Sequence, residues 1–128
     1  NKEVAELTFN QTTYDTQADW RNMKYSTNDD KIQGRCRHTA CPYRDKIYIF
    51  GGSYMYNRKR QVRECTNQVI IYDTILRTFN IIKTKGISVP PRKDHCAAIF
   101  GQSMIVYGGQ YQNGAIGQDM LNFDLEYN

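Results

Sequence analysis

"RHTACPYRDKIYIFGG" fills residues 37–52, and "DHCAAIFGQSMIVYGG" fills residues 94–109. The two phrases align without a gap at a spacing of 57 residues. Arg35 falls on Arg92, His38 on His95, and Gly51–Gly52 on Gly108–Gly109. In each copy two short apolar runs flank a polar pair, Arg44–Asp45 in one and Gly101–Gln102 in the other. Such pairs are hairpin-turn chemistry, so each phrase predicts a tight hairpin of two strands, a and b. The runs are apolar on both sides, which predicts strands covered on both faces. Ile47, Ile49, Ala97, Ile99, Ile105 and Val106 are the expected core residues.

A second phrase follows each hairpin. "NQVIIYD" (67–73) and "QDMLNFD" (118–124) both end in an aromatic and an Asp, as does "FNQTTYD" (9–15) before the first hairpin. This is strand c, with Tyr72–Asp73, Phe123–Asp124 and Tyr14–Asp15 equivalent. A turn and a further aromatic then open strand d, with Phe79 and Trp20 in matching places. The order is c–d, a–b–c–d, a–b–c, without sustained 3.6-residue periodicity, so no helix is expected. Four strands per repeat of about 50 residues is the pattern of radial blades. The expected class is all-β: four-stranded antiparallel blades of a propeller, about two to two and a half of them in an incomplete ring. Residues 1–25 would be strands c and d of a preceding blade, 35–83 a complete blade, and 92–128 strands a to c of the next.

These residues resemble the kelch repeat. In that family a basic residue and often a His lead into strand a, a double glycine follows strand b, an aromatic-Asp ends strand c, and a large aromatic lies in strand d. Arg35, His38, Gly51, Gly52, Tyr72, Asp73 and Phe79 match in one copy. Arg92, His95, Gly108, Gly109, Phe123 and Asp124 match in the next, and Trp20 in the partial one. The resemblance implies that these positions are architectural, that the chain is a segment of a larger propeller, and that its work is protein–protein interaction as a recognition or scaffold element. Substrate adaptors and structural subunits of cytoskeletal or ciliary assemblies both use the fold. The propeller of galactose oxidase also resembles it, and that enzyme reading needs His and Tyr ligands converging on one metal. Two His at one repeat position do not converge, so no catalytic residue, metal or cofactor is expected.

The chain carries a formal charge of +4, which permits an acidic partner without requiring nucleic acid, and a protein rather than nucleic acid is the expected partner. No apolar run reaches membrane-spanning length, so a cytoplasmic setting without membrane contact is expected. Cys36, Cys41, Cys65 and Cys96 lack metal or redox spacing and read as free thiols, with Cys41 and Cys96 in buried strands. Strands a and b leave little room for recognition, so the b–c segments carry the interest. "SYMYNRKRQVRECT" (53–66) is about six residues longer than its counterpart and holds Tyr54, Tyr56, Arg58, Lys59, Arg60 and Arg63. A solvated insertion is the plainer reading of that loop. A docking element for an acidic protein surface is the sharper one.

Overall fold

A computed structural model of the chain describes residues 3–11, 16–27, 32–54, 58–59 and 61–126. Every regular element among them is a strand. The first blade contains β5 (Thr39–Tyr43), β6 (Lys46–Phe50), β8 (Val69–Asp73) and β9 (Thr78–Ile82), antiparallel and in that spatial order. These are strands a to d. The turn between β5 and β6 places Arg44 at φ 54°, and its counterpart between β11 (Cys96–Phe100) and β12 (Ser103–Tyr107) places Gly101 at φ 59°. The second blade is β11, β12 and β14 (Met120–Asp124), strands a to c. Among the described residues β14 pairs with β12 alone, whereas β8 carries β9 on its outer side.

Both strand-c aspartates close the turn that follows. Asp73 Oδ1 accepts hydrogen bonds from the amides of Ile75 (3.0 Å) and Leu76 (2.8 Å), and Asp124 Oδ1 from that of Glu126 (2.9 Å). The Asp73 carboxyl sits below its ordinary pKa, first through the Leu76 amide. Two small sheets lie at the other end of the blades. β4 (Arg35–Cys36) pairs with β7 (Ser53–Tyr54), and β10 (Arg92–Lys93) with β13 (Gln110–Tyr111). Each one ties the approach to strand a to the start of the b–c loop.

The core is the joint between the blades. Side chains alternate across a strand, so one face of each blade supplies it. Cys41, Tyr48, Phe50 and Val69 of the first blade meet Met104 and Val106 of the second, with Leu125 at the margin. Of the expected core residues, Val106 is in this cluster, and Ala97 and Ile99 pack against it. Ile47, Ile49 and Ile105 are half-buried on the outward faces instead. The outward face of the second blade is open: Tyr107 and Met120 are exposed where their repeat equivalents Phe50 and Val69 are buried. Cys96, expected in a buried strand, lies on that open face and is exposed, and all four cysteines are free thiols. Met104→Ala is therefore expected to cost about 2–5 kcal/mol in urea melts, and Ile105→Ala less than half of that. Equal losses would count against this location of the core.

The N-terminal strands begin and end elsewhere than expected. β1 (Glu3–Gln11) and β2 (Thr16–Lys24) form a hairpin that pairs with no other described strand. Expected strand c, 9–15, overlaps β1 only at 9–11, and Tyr14–Asp15 lies outside the described residues. Trp20 pairs with Leu7 and is 72% exposed. Phe79 pairs with Tyr72, its ring 4.5 Å from that of Tyr72 and 4.8 Å from that of Tyr25. The two aromatics are thus not equivalent here: Phe79 packs on the rings of Tyr72 and Tyr25, whereas Trp20 pairs with Leu7 and stays exposed. The chain instead adds β3 (Ser26–Thr27) parallel to β9, a fifth strand on the first blade.

Candidate partner-docking face

The b–c loops and the approaches to strand a share one end of the blades, and two arginines organise it. Arg92 is fully buried. Its Nη1 donates to the Gly108 carbonyl (2.9 Å) and to Asp119 Oδ1 (2.8 Å), and its Nη2 donates to Asp119 Oδ2 (2.7 Å). Tyr111 lies under the guanidinium at 5.1 Å and donates its hydroxyl to Asp119 Oδ1 at 3.1 Å. This bidentate pair raises the Arg92 pKa and lowers the Asp119 carboxyl to about 2, the hydrogen bonds between them being the largest cause in both cases.

The first blade repeats the cradle with one difference. Arg35 Nη1 donates to the Gly51 carbonyl (3.3 Å), Nη2 donates to Gln68 Oε1 (2.8 Å), and Tyr54 lies 5.3 Å from the guanidinium. The Tyr54 hydroxyl donates to Gln68 Oε1 at 2.9 Å. Gln68 therefore stands where Asp119 stands in the second blade, and Arg35 has a neutral partner. Burial pulls the Arg35 pKa down, with Tyr54 opposing it.

The two motif histidines part company. His95 is buried in the joint, its Nε2 at 2.8 Å from Thr39 Oγ1 and its ring at 5.0 Å from Phe50. Burial first, and then the Arg92 charge, holds it below the ordinary histidine pKa. His38 is exposed: among the described residues no blade packs on its side as the first blade packs on His95. The double glycines take a left-handed backbone that side chains disfavour: Gly51, Gly52, Gly108 and Gly109 have φ of 65°, 90°, 69° and 92°.

The long loop is tied down at its base. Tyr54 N donates to Glu64 O (3.0 Å) and Thr66 N to Gly52 O (2.9 Å). From the next blade, Gln112 accepts from Cys65 N (2.6 Å) through Oε1 and donates to Arg63 O (3.2 Å) through Nε2. Arg58 and Lys59 are exposed in a turn at the tip. Arg63 is exposed and its Nη1 lies 3.4 Å from Cys36 Sγ. That thiol is drawn below its ordinary pKa, chiefly by its hydrogen bond with Ser53 and then by Arg63. Tyr56 and Arg60 lie outside the described residues. Arg37 and Asp94, equivalent positions with opposite charges, pair across the joint at 3.3 Å. Of the docking residues expected from sequence, the structure places Arg58, Lys59 and Arg63 on the solvent side and Tyr54 inside a cradle. Sequence reasoning missed Gln68, Asp119 and Gln112. The first two were findable by aligning the chain backward from strand c.

A family model described as the "KLHDC2/KLHL20/DRC7 Kelch-repeats domain" matches residues 3–128. Kelch domain-containing protein 3 of Bos taurus is 35% identical over 74 residues, 57% of this chain and 18% of that protein. Kelch-like protein 15 of Danio rerio is 28% identical over 94 residues, 73% of this chain and 15% of that protein. Ras guanine nucleotide exchange factor F of Dictyostelium discoideum is 31% identical over 75 residues, 59% of this chain and 6% of that protein. Among solved structures, that titled "Structure of YjhT" superposes with a TM-score of 0.69 at 14% identity, covering 99% of this chain and 36% of the other. The matched parts are thus a small share of each of these longer proteins. That likeness in fold, with the open sheets, makes this chain a partial propeller.

Proposed function

The chain belongs to the kelch-repeat family, and on that premise we propose that it is a non-enzymatic recognition segment of a cytoplasmic kelch propeller that docks an acidic protein surface. Residues 1–25, 35–83 and 92–128 would belong to three successive blades of that ring. The observation that supports this reading is a set of cations on tethered backbone: Arg58, Lys59 and Arg63 stand on a loop closed at its base and held by Gln112. Charges on a fixed support add their fields and speed encounter with an acidic partner.

The test replaces Arg58, Lys59, Arg60 and Arg63 together by Ser. Capture of a fluorescent poly-glutamate peptide should weaken about tenfold or more at low salt, and the difference should shrink as salt rises. The melting temperature should hold, since none of the four is a repeat-motif position. Unchanged capture at low salt would sink the proposal.

The face that bears Phe100, Tyr107 and Met120 is the repeat equivalent of the face that the second blade covers on the first, so a following blade of the ring is its expected neighbour under this reading and equally under that of a structural subunit in a cytoskeletal or ciliary assembly. An enzyme of the galactose oxidase type is disfavoured because His38 and His95 stand at one repeat position of two different blades, His38 exposed and His95 buried in the joint, and so do not share a site.

A further inference from the structure

We propose that the Arg35 cradle is an anion site that takes an acidic side chain of the docked partner, the carboxylate supplying the countercharge that Gln68 withholds. This rests on the reading of the face as a docking surface and names the residue at its floor. The two cradles share a glycine carbonyl, a tyrosine under the guanidinium and a tyrosine hydroxyl on the third partner. They differ in that third partner, a carboxylate for Arg92 and a carboxamide for Arg35. A buried or half-buried cation is costly without a countercharge. Arg92 has one.

Arg35 is half-buried and, among the described residues, its guanidinium bonds are to a carbonyl, a carboxamide and a tyrosine ring. Among the described residues Nη1 bonds the Gly51 carbonyl and Nη2 bonds Gln68, with the Tyr54 side chain also within reach, and the five N–H groups of a guanidinium leave donors for an incoming oxyanion. Desolvation weakens the hold of water on this charge and strengthens its attraction for an anion. The surroundings reinforce the sign. Arg63 lies against Cys36, next to Arg35 in sequence, while Asp94 is engaged by Arg37. The twin cradle shows the fitting group, since Asp119 meets Arg92 with both carboxylate oxygens.

The decisive variant is Gln68→Glu in the full chain, which installs the missing countercharge from within. It should bind the poly-glutamate peptide about tenfold or more weakly, the scale of a lost charge-assisted contact. It should also melt no lower than the parent, because it copies the Arg92–Asp119 arrangement. Gln68→Asp, with the chain length of Asp119, is made alongside it, and whichever variant keeps the parental melting temperature is the one scored. Gln118→Glu makes the same charge change at an exposed position beside the second cradle and should shift affinity by less than about twofold. Parental affinity in the Gln68 variant, or a loss no larger than that of Gln118→Glu, would overturn the proposal. Competition for the peptide by inorganic phosphate but not by glutarate would reassign the cradle to phosphoryl groups and overturn it as well. Capture that fails on the loop-to-Ser replacement yet survives Gln68→Glu sinks the cradle alone. Capture indifferent to both sinks the docking face itself.

Discussion

Asp119→Ala is expected to destabilise the chain by about 3 kcal/mol, the low end of the range for breaking a buried ion pair. Arg92 is fully buried, and among the described residues it keeps the Gly108 carbonyl and Tyr111 once the carboxylate is gone. Equilibrium urea melts of the single variant and of Arg92→Met/Asp119→Ala separate the two components. The double variant should recover much of the loss, because removing both charges abolishes the unpaired one. A single variant that melts like the parent would show that the pair is dispensable.

The same pair sets an acid limb. The Asp119 pKa is lowered from 3.8 to about 2 on folding, so its stabilisation is complete above the ordinary carboxylate range and disappears as pH falls through about 2. Asp119 is more than a third exposed, so screening reduces this contribution to about 1 kcal/mol. His95 acts in the same direction at higher pH. Its folded pKa lies below the ordinary 6.5, so the unfolded chain takes up the proton first and stability declines as pH falls below about 6.5. A pH series of melts should therefore show two declines, and Asp119→Ala should shrink the lower one, to which the Asp73 carboxyl also contributes.

Most of the fold was legible because the chain repeats itself. The hairpins, strand c and the glycine corners follow from a phrase written twice at one spacing, and the hydrogen-bond registers of β5–β6 and β11–β12 agree with that alignment. What the repeat hid was a change of spacing. Arg35, Gly51 and Tyr54 stand 57 residues before Arg92, Gly108 and Tyr111, but Gln68 stands 51 before Asp119, because the first b–c loop is longer. Forward alignment loses that fourth member, so Tyr54 reads as a loop aromatic when it is part of a cradle. Burial was less legible than strand position. An apolar run such as "KIYIF" or "SMIVY" does not say which of its faces has a neighbour. Ile105 and His38 are motif residues whose exposure is decided by what packs next to them, which their own repeat does not encode. Trp20 is the same case in the N-terminal hairpin. The cationic loop announced itself by composition, but its tether did not, because Gln112 acts through backbone groups of another blade.

Gly51→Ala and Gly108→Ala form a matched pair that tests how the blades are joined. Both glycines sit in the left-handed region, at φ 65° and 69°, so an alanine at either site costs about 1–2 kcal/mol in backbone conformation. Their surroundings differ. A Cβ at Gly51 would lie 2.8 Å from the Arg92 carbonyl oxygen and 2.8 Å from His95 Cε1, while one at Gly108 would meet only the Gly117 carbonyl, at 3.5 Å. The Arg92 oxygen is held in place, since it also accepts a hydrogen bond from Gly52 N at 2.8 Å. His95 has little room to retreat between Thr39 and Phe50. Relieving the overlap at Gly51 must therefore push the second blade off the first, at a further cost of about 1–3 kcal/mol for overpacking. Gly51→Ala should lose about 2–5 kcal/mol in total, and Gly108→Ala only the conformational part. Near-ultraviolet circular dichroism should show a larger change for Gly51→Ala, because Phe50 and Tyr48 lie at the opened joint. Equal losses for the two variants would mean that backbone conformation alone selects the glycines, and that the close approach of Arg92 and His95 contributes nothing to holding the blades together.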